Sequence, residues 1–221
     1  MAAQFNSPDS RPDPEGRLAA FGLSSADVHT AMRPGASRAN NRTAHAPRSA
    51  RGTDIYLDGM ENLSQMLASA GWREVYVEGQ LRLLHPDHLI SFTIASATGV
   101  GQLTGPYLQP HTNRKGKSTR QSLHHVDDGT ISLFEDDEDF VIESVLVEAA
   151  LGADLWFLLH ERTDRGLHLE FSRPAEMSSS GIVNGWAERI PLPFLELDGD
   201  LSVFDQPDDG DGDVDVPVEP R

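Results

Sequence analysis

A long polar stretch at residues 96–134 constrains the fold more than any other feature of the sequence. Its first part contains three glycines and two prolines, and no apolar periodicity is visible before Ile131, so neither a long helix nor a regular strand fits it. Four basic residues follow within seven positions, and among them Lys115 and Lys117 are the only lysines in the chain. Irregular connections of this length are usually functional or disordered. We therefore expect a long loop that joins two structured halves.

The composition favours a cytoplasmic protein with a globular body and polar ends. The chain of 221 residues contains no cysteine, which excludes disulfides, thiolate metal sites and cysteine nucleophiles. Its first twenty residues carry acids and prolines where a signal peptide needs an apolar segment. The most apolar run, Val145–Leu159, is too short to cross a bilayer. We therefore expect a cytoplasmic location and no membrane partner.

The formal charge of −17 is spread unevenly along the chain. Residues 1–52 carry +3, residues 53–197 carry −12 and residues 198–221 carry −8. An acidic surface repels a phosphate backbone at long range, so the protein is not expected to bind DNA duplexes in general. A local basic loop can still contact nucleic acid.

An amphipathic helix and three short strands are predicted in the first half. Asp58 is a candidate N-cap, Glu61 stands three residues later as in a capping box, and Gly71 is placed to end the helix. A three-stranded meander needs a covering layer, so we expect the helix to pack on the strands. The strand patterns, separated by turn residues, lie at 72–78, 80–84 and 88–95.

A β-hairpin is the clearest pattern of the second half. Alternating apolar residues mark strands at Leu155–Glu161 and Leu167–Arg173, with a polar, glycine-containing turn between them. This register places Glu161 opposite His168, where the two side chains could form an ion pair. The preceding run, Phe140–Ala150, fits a helix or a strand, and its β-branched content favours the strand.

Together these patterns predict an α+β fold, in which an N-terminal helix packs on a three-stranded antiparallel meander and a second β-rich half contains the hairpin. Both ends are polar and are expected to be mostly disordered, with one or two helical turns around Ser25–Met32 in the first of them. Whether the two halves share one core stays open at this level. The expected organisation is a disordered arginine-containing arm at 1–52, the helix and meander at 53–96, the long loop with its basic cluster and an acidic connector at 97–139, the β-rich half at 140–197 and an acidic disordered tail at 198–221.

The basic cluster is the candidate binding site. Glycines upstream of the KGKST motif suggest a phosphate-binding loop, but Pro106 follows Gly105 directly and Lys115 comes ten residues after that glycine, so the Walker A spacing is absent. A simpler contact with phosphate or with a partner needs only positive charges and hydroxyl donors. A mobile polar loop without a ligand is the alternative. The candidate residues are Arg114, Lys115, Lys117, Ser118, Thr119 and Arg120.

Histidines and aspartates elsewhere form no complete metal or catalytic motif. The pair His124 and His125 lies close to Asp127, but adjacent side chains of an extended chain point apart, and no zinc-type spacing is present. His85 and His88 flank a predicted turn, where polar roles at the strand ends suffice. The aspartates near the C-terminus lack the glycine and the last ligand of a calcium loop. We therefore predict no catalytic residue, no metal and no cofactor.

Several short phrases of the sequence resemble a family of bacterial proteins. In chain order they are AGW at 70–72, HPD at 85–87, IASATG at 94–99, TG at 104–105, PHTNRKGKST at 110–119, ISLF at 131–134, LEFSRPA at 169–175 and GWAERIPLP at 185–193. The family is uncharacterised and is associated with accessory or mobile genetic elements. The resemblance covers residues 18–197 and leaves out both tails. It implies a shared organisation and carries no catalytic residue.

Three functions fit this sequence. The first is a non-enzymatic cytoplasmic accessory or adaptor protein that binds an unidentified protein or nucleic acid through the basic loop at 111–125. The second is an enzyme that acts on a phosphate-bearing substrate, in which the two lysines position phosphate and His124, His125 or Asp127 handles protons or a metal. The third is an acidic mimic of DNA, which needs ordered rows of carboxylates. We favour the first, because no complete catalytic motif accompanies the basic cluster.

Overall fold

The computed structural model describes residues 13–102, 109–123 and 138–197, and it confirms the α+β class. The helices of these residues are Pro14–Ala19 (α1), Ser25–Asn40 (α2), Ala50–Ala68 (α3), Lys117–Leu123 (α4) and Glu138–Gly152 (α5). The strands are Arg73–Val77 (β1), Gln80–Leu84 (β2), Ile90–Thr98 (β3), His111–Thr112 (β4), Asp154–Arg162 (β5), Gly166–Met177 (β6), Val183–Pro191 (β7) and Leu195–Glu196 (β8).

All of these strands belong to one mixed sheet. Six lie in the order β1-β2-β3-β5-β6-β7, while β4 pairs with β3 and β8 pairs with β6. Every pair is antiparallel except β3 and β5, which run parallel with Ile90 opposite Asp154 and Ser96 opposite His160. A parallel pair needs a crossover connection, and residues 99–153 provide it.

The predicted meander and hairpin are confirmed. Strands β1, β2 and β3 form the meander, and the turn between the first two places Glu78 and Gly79 at positive φ, which a two-residue hairpin turn requires. Strands β5 and β6 form the hairpin, with Glu161 opposite His168 as expected. Local turn chemistry determines both hairpins, which explains why the sequence predicts them well.

The two faces of the sheet are both covered. We call one the helix face, because α1, α2 and α3 lie on it against the even-numbered residues of β5, such as Trp156. The other, which we call the loop face, carries the odd-numbered residues of β5 from Leu155 onwards and is covered by α4 and α5. The buried cluster of the helix face includes Leu63, Phe92 and Phe171, so the two halves of the chain share one core.

The expected disordered arm is wrong for residues 13–52, which form α1, α2 and the beginning of α3. The side chain of Asp13 caps α1, and the side chain of Ser24 accepts a hydrogen bond from the Asp27 backbone at the start of α2. The buried side of α2 consists mainly of small residues and therefore gives a weak apolar pattern; its members are Val28, Ala31, Met32, Gly35, Ala36 and Ala39.

Helix α3 begins eight residues before the predicted start, at Ala50. The predicted cap, Asp58, lies inside the helix, where it is buried and pairs with Arg38 at 3.3 Å. Asp54, one turn earlier, is buried too and pairs with Arg42 at 2.7 Å. Asp58 and Asp54 therefore link α3 to α2 and to the chain that directly follows α2. The predicted end is confirmed, since Gly71 follows the helix with a φ of +86°.

Two other expectations about the connection are wrong. Residues 138–152 form helix α5 rather than a strand, and the long irregular loop contains β4 and α4. The crossover between parallel strands explains the helix, because it must travel along the sheet while it covers one face. Ala150 of α5 packs against Val75 of β1 and accepts a hydrogen bond from Ser91 at 3.1 Å. Tertiary packing thus outweighs the β-branched content of this segment.

Candidate functional site

Residues 109–123 carry the predicted site residues and are fastened to the loop face of the sheet. The segment pairs with β3 through His111, which lies opposite Thr98. Further hydrogen bonds tie it to β7 and to the turn before β7. They join Val183 N to Thr112 Oγ1 at 3.1 Å, Trp186 Nε1 to the Pro110 carbonyl at 2.8 Å, Lys115 N to the Gly181 carbonyl at 2.7 Å and Arg120 Nη2 to the Ser179 carbonyl at 3.4 Å.

Lys115 turns inward and lies half-buried against the sheet. Its Nζ is 5.6 Å from the centroid of the Phe157 ring, which is a favourable position for a cation over an aromatic face. The ammonium forms no ion pair with any described residue. Burial lowers the pKa of Lys115 to about 8, because a charged amine loses hydration there without gaining a carboxylate partner.

His160 is buried on the same strand as Phe157, but as an even-numbered residue of β5 it faces the other side of the sheet, the helix face. Burial and, to a smaller extent, the positive charge of Lys115 together lower the pKa of His160 to about 4. The imidazole is therefore neutral at physiological pH, and its Nδ1 has no hydrogen-bond partner among the described residues. A neutral, buried imidazole is not a proton donor at that pH.

The structure divides the predicted cluster into outward and inward members. Arg114 and Arg120 are exposed, whereas Thr119 is completely buried and its hydroxyl has no hydrogen-bond partner among the described residues. The side chains of Lys117 and Ser118 lie outside the described residues, as do the predicted candidates His124, His125 and Asp127. The six candidates therefore do not form one continuous surface.

Arg82 is a basic residue of the loop face that sequence reasoning missed. It lies on β2 with no exposed surface, and its Nη1 donates a hydrogen bond to Ser122 Oγ of α4 at 2.7 Å. Burial lowers the pKa of Arg82 to about 10. An arginine between the leucines of QLRLL is the only signal in the sequence, and it points equally well to an exposed strand position. Its contact helps to hold α4 on the sheet.

The glycine-rich turn after β3 binds carboxylates of the protein itself. Glu161 Oε2 accepts hydrogen bonds from Gly99 N at 2.8 Å and from Val100 N at 3.0 Å, and Glu170 Oε2 accepts one from Gly101 N at 2.9 Å. Both glycines have positive φ, so that successive N–H groups converge as in an anion-binding nest. The turn that resembles part of a phosphate loop therefore has its amides occupied from within.

Glu170 anchors this turn to β6. Its carboxylate has no exposed surface and accepts hydrogen bonds from Ser172 Oγ and from Arg189 Nη2, both at 2.7 Å. The same Nη2 donates to the Gln102 carbonyl at 3.3 Å. One buried ion pair thus holds β6, β7 and the turn after β3 together.

A pocket of about 230 Å³ lies where the parallel strands β3 and β5 end. In sheets with parallel strands, the crevice beyond their carboxyl ends is a common place for ligands. Glu161 is a lining residue, and its carboxylate accepts hydrogen bonds from the turn; among the described residues it does not form the expected ion pair with His168. The residues around the pocket are Thr98, Gly99, Gln102, His111 and Glu161.

Metal and membrane sites are absent from the part of the chain that the structure describes. No three His, Asp or Glu side chains of those residues converge on a possible metal position. His85 has the expected polar role in a turn, since its Nδ1 accepts a hydrogen bond from Asp87 N at 3.1 Å. No described helix combines the length and the apolar character that a bilayer crossing requires.

Comparison of the chain with known protein families, with curated proteins and with solved structures finds no match. The resemblance to proteins of mobile genetic elements therefore stays a prediction. What the fold and the site define is an α+β protein with a basic segment fastened across one face of a mixed sheet.

Proposed function

We propose that the protein is a non-enzymatic accessory or adaptor protein, and that residues 111–125 contribute the surface that binds its macromolecular partner. The described part of this surface, which we call the basic surface, consists of Arg114, Lys115 and Arg120. The observation that carries the proposal is the fixed backbone of this segment, which leaves both arginines exposed while the chain around it is acidic.

A basic surface with a fixed backbone suits recognition of anionic groups. Binding costs less conformational entropy when the contacting residues are already positioned, and hydrogen bonds to the sheet and to the turn before β7 position this segment. Arginine is enriched at the energetically important sites of interfaces. The acidic remainder of the chain repels anions elsewhere, so it directs an anionic partner to this surface.

Charge reversal at the two exposed arginines tests this proposal. The tagged double variant Arg114→Glu/Arg120→Glu is compared with the unaltered chain and with Arg73→Glu, which reverses an exposed arginine on the edge strand β1. Each protein is used to capture partners from a bacterial extract, and each is titrated with a labelled single-stranded oligonucleotide. We expect the double variant to lose at least about tenfold in affinity for whichever partner binds, while Arg73→Glu retains it.

The outcome that contradicts the proposal is equally direct. If the double variant, with its fold intact by circular dichroism, captures the same partners in the same yield as Arg73→Glu, the basic surface does not bind them. Absence of any partner for the unaltered chain in both assays also counts against an adaptor role. A partner affinity that decreases as the salt concentration rises supports an electrostatic contact.

A further inference from the structure

The pocket at the ends of β3 and β5 contains a carboxylate that is oriented but only partly used. Two backbone amides, from Gly99 and Val100, donate to the same atom, Glu161 Oε2. The other oxygen, Oε1, has no hydrogen bond and no ion pair with a described residue. Glu161 is partly buried and lines the pocket, so this free oxygen belongs to a side chain whose position is already determined.

The charge of Glu161 distinguishes this pocket from a phosphate site. Its amides reduce the local negative potential only in part, because a neutral N–H dipole does not cancel a full charge. An anion in the pocket would meet that carboxylate at short range, whereas a cation would gain a charge-assisted hydrogen bond. The other lining side chains, those of Thr98, Gln102 and His111, offer neutral polar atoms or an imidazole beside it.

We propose that this pocket binds a small cationic group, an aliphatic ammonium or guanidinium, with the Glu161 carboxylate as its counter-ion. Its volume of about 230 Å³ accommodates such a group with a short alkyl chain. The site is independent of the basic surface, which is suited to anions. The group can belong to a free amine or to the side chain of a lysine or arginine in a peptide, and both sources present the same chemistry to Glu161.

Nuclear magnetic resonance of the full chain tests the site directly, because the amides of Gly99 and Val100 report on the carboxylate they contact. The probes are n-butylammonium, n-butylguanidinium and a blocked Gly-Arg-Gly peptide. Uncharged n-pentanol and anionic pentanoate, of similar size, serve as controls. We expect saturable shifts of these two amide signals with cationic probes only. Saturation by the peptide alone assigns the site to a side chain, and saturation by the small cations assigns it to free ligands as well.

Two variants separate the charge of the pocket from its structure. Glu161→Gln retains a carbonyl oxygen for both backbone amides but loses the charge, and we expect it to bind cationic probes at least about tenfold more weakly. Glu176→Gln, the control, removes an exposed carboxylate of β6 outside the pocket and should bind the cationic probes as tightly as the unaltered chain does. If Glu161→Gln does not fold, Thr98→Leu fills the mouth of the pocket while Glu161 stays intact, and it should weaken binding as well.

The proposal is overturned if no cationic probe gives saturable shifts at Gly99 and Val100. It is also overturned if n-pentanol or pentanoate produces shifts as large as those of the cations, or if Glu161→Gln retains the affinity of the unaltered chain. These results leave the adaptor proposal untouched, because capture through the basic surface is measured separately.

Discussion

At the scale of single residues, the surroundings of a side chain determine how much its charge reduces the stability of the fold. Lys115 and Arg114 are adjacent in sequence, but Arg114 is exposed and Lys115 is half-buried over Phe157 without a described counter-ion. The lowered pKa of Lys115 means that protonation is less favourable in the folded chain than in the unfolded chain. A buried lysine of this kind therefore reduces stability at neutral pH and is a candidate functional group rather than a structural one.

Replacement of Lys115 by methionine should stabilise the protein at pH 7. In the unfolded chain the amine titrates at its ordinary value of 10.5, and in the folded chain at about 8. Below pH 8 both states are protonated and the full cost of burial applies; as the pH rises from about 8 to about 10.5, the folded state is already neutral and the cost disappears. We expect the variant to gain on the order of 2–3 kcal/mol in the free energy of unfolding at pH 7.

Urea denaturation at pH 7 and at pH 10 measures this effect, and Arg114→Met serves as the matched control. The advantage of Lys115→Met over the unaltered chain should shrink between the two pH values, while the small effect of Arg114→Met should not change. An equal gain at both pH values would mean that packing, and not the desolvated charge, accounts for the result.

The basic cluster shows how far sequence reasoning reaches at this scale. The residue types of the cluster predict affinity for anions, but spacing alone does not tell that Lys115 and Thr119 face the sheet. The glycine turn is a second case: its converging amides are readable as an anion site, but the anions are the carboxylates of Glu161 and Glu170, more than fifty residues later in the chain. Contacts between distant residues cannot be inferred from local patterns.

At the scale of elements, glycines determine how closely α2 and α3 approach. A methyl group on Gly35 would lie 2.7 Å from the Asp54 carbonyl oxygen and 2.9 Å from Ile55 Cα, both of them backbone atoms of α3. A methyl group on Gly59 would lie 2.6 Å from Ile94 Cδ1, at the end of a side chain. Backbone of a packed helix cannot yield without separating the two helices, whereas a side-chain terminus can rotate.

Three glycine-to-alanine changes should therefore differ in the sign and size of their effects. We expect Gly35→Ala to lower the free energy of unfolding by about 2–3 kcal/mol, and Gly59→Ala by less. Gly52→Ala, in the first turn of α3 with nothing within 4 Å of the added methyl group, should raise it by up to about 1 kcal/mol. Thermal and urea unfolding of the three variants provide the comparison. Equal losses at Gly35 and Gly59 would contradict the distinction between backbone and side-chain neighbours.

The ion pair of Glu170 with Arg189 should contribute far more than an exposed pair. Glu170→Ala removes a fully buried acceptor that serves Arg189, Ser172 and the amide of Gly101, and we expect it to cost about 3–5 kcal/mol. Glu196→Ala breaks a solvent-exposed pair with Arg165 and should cost less than about 1 kcal/mol. Chemical denaturation of both variants tests the contrast, which fails if the two losses are similar.

Which elements the sequence predicts depends on how local their causes are. The meander and the β5–β6 hairpin are predicted because turn residues and alternating apolar positions lie within a few residues of each other. Helix α2 is predicted only as one or two turns around Ser25–Met32, because its buried side is built mainly from alanine and glycine around Pro34 and its apolar pattern is weak. Helix α5 is misassigned because only the parallel pairing of β3 with β5 requires a crossover there.

At the scale of the whole molecule, charge is the dominant property. Of the total of −17, residues 198–221 contribute −8 and residues 53–197 contribute −12, while residues 1–52 offset them by +3. Like charges brought together by folding repel each other, and salt screens this repulsion. Stability should therefore increase with ionic strength in spite of the local ion pairs.

Salt titration of stability tests this property with a shortened chain as the comparison. Raising NaCl from about 10 mM to about 150 mM shortens the Debye length from about 30 Å to about 8 Å, and the urea midpoint should rise. A chain that ends at Leu197 retains every described helix and strand but lacks the −8, so its midpoint should rise less. The same rise in both chains would show that the repulsion arises within residues 1–197.

The parallel pairing of β3 with β5 also bears on the rate of folding. Partners in this pair, such as Ile90 and Asp154, are 64 positions apart, whereas the partners within each hairpin are close neighbours in the chain. The entropy of closing so long a connection is lost before the stabilising contacts form, and this makes nonlocal pairing slow. Doubling the length of such a connection adds only about 0.6 kcal/mol to the closure cost. The rate-limiting step of folding should therefore be the docking of the β1–β3 meander on the β5–β6 hairpin. Insertions between these two units should change the folding rate only slightly.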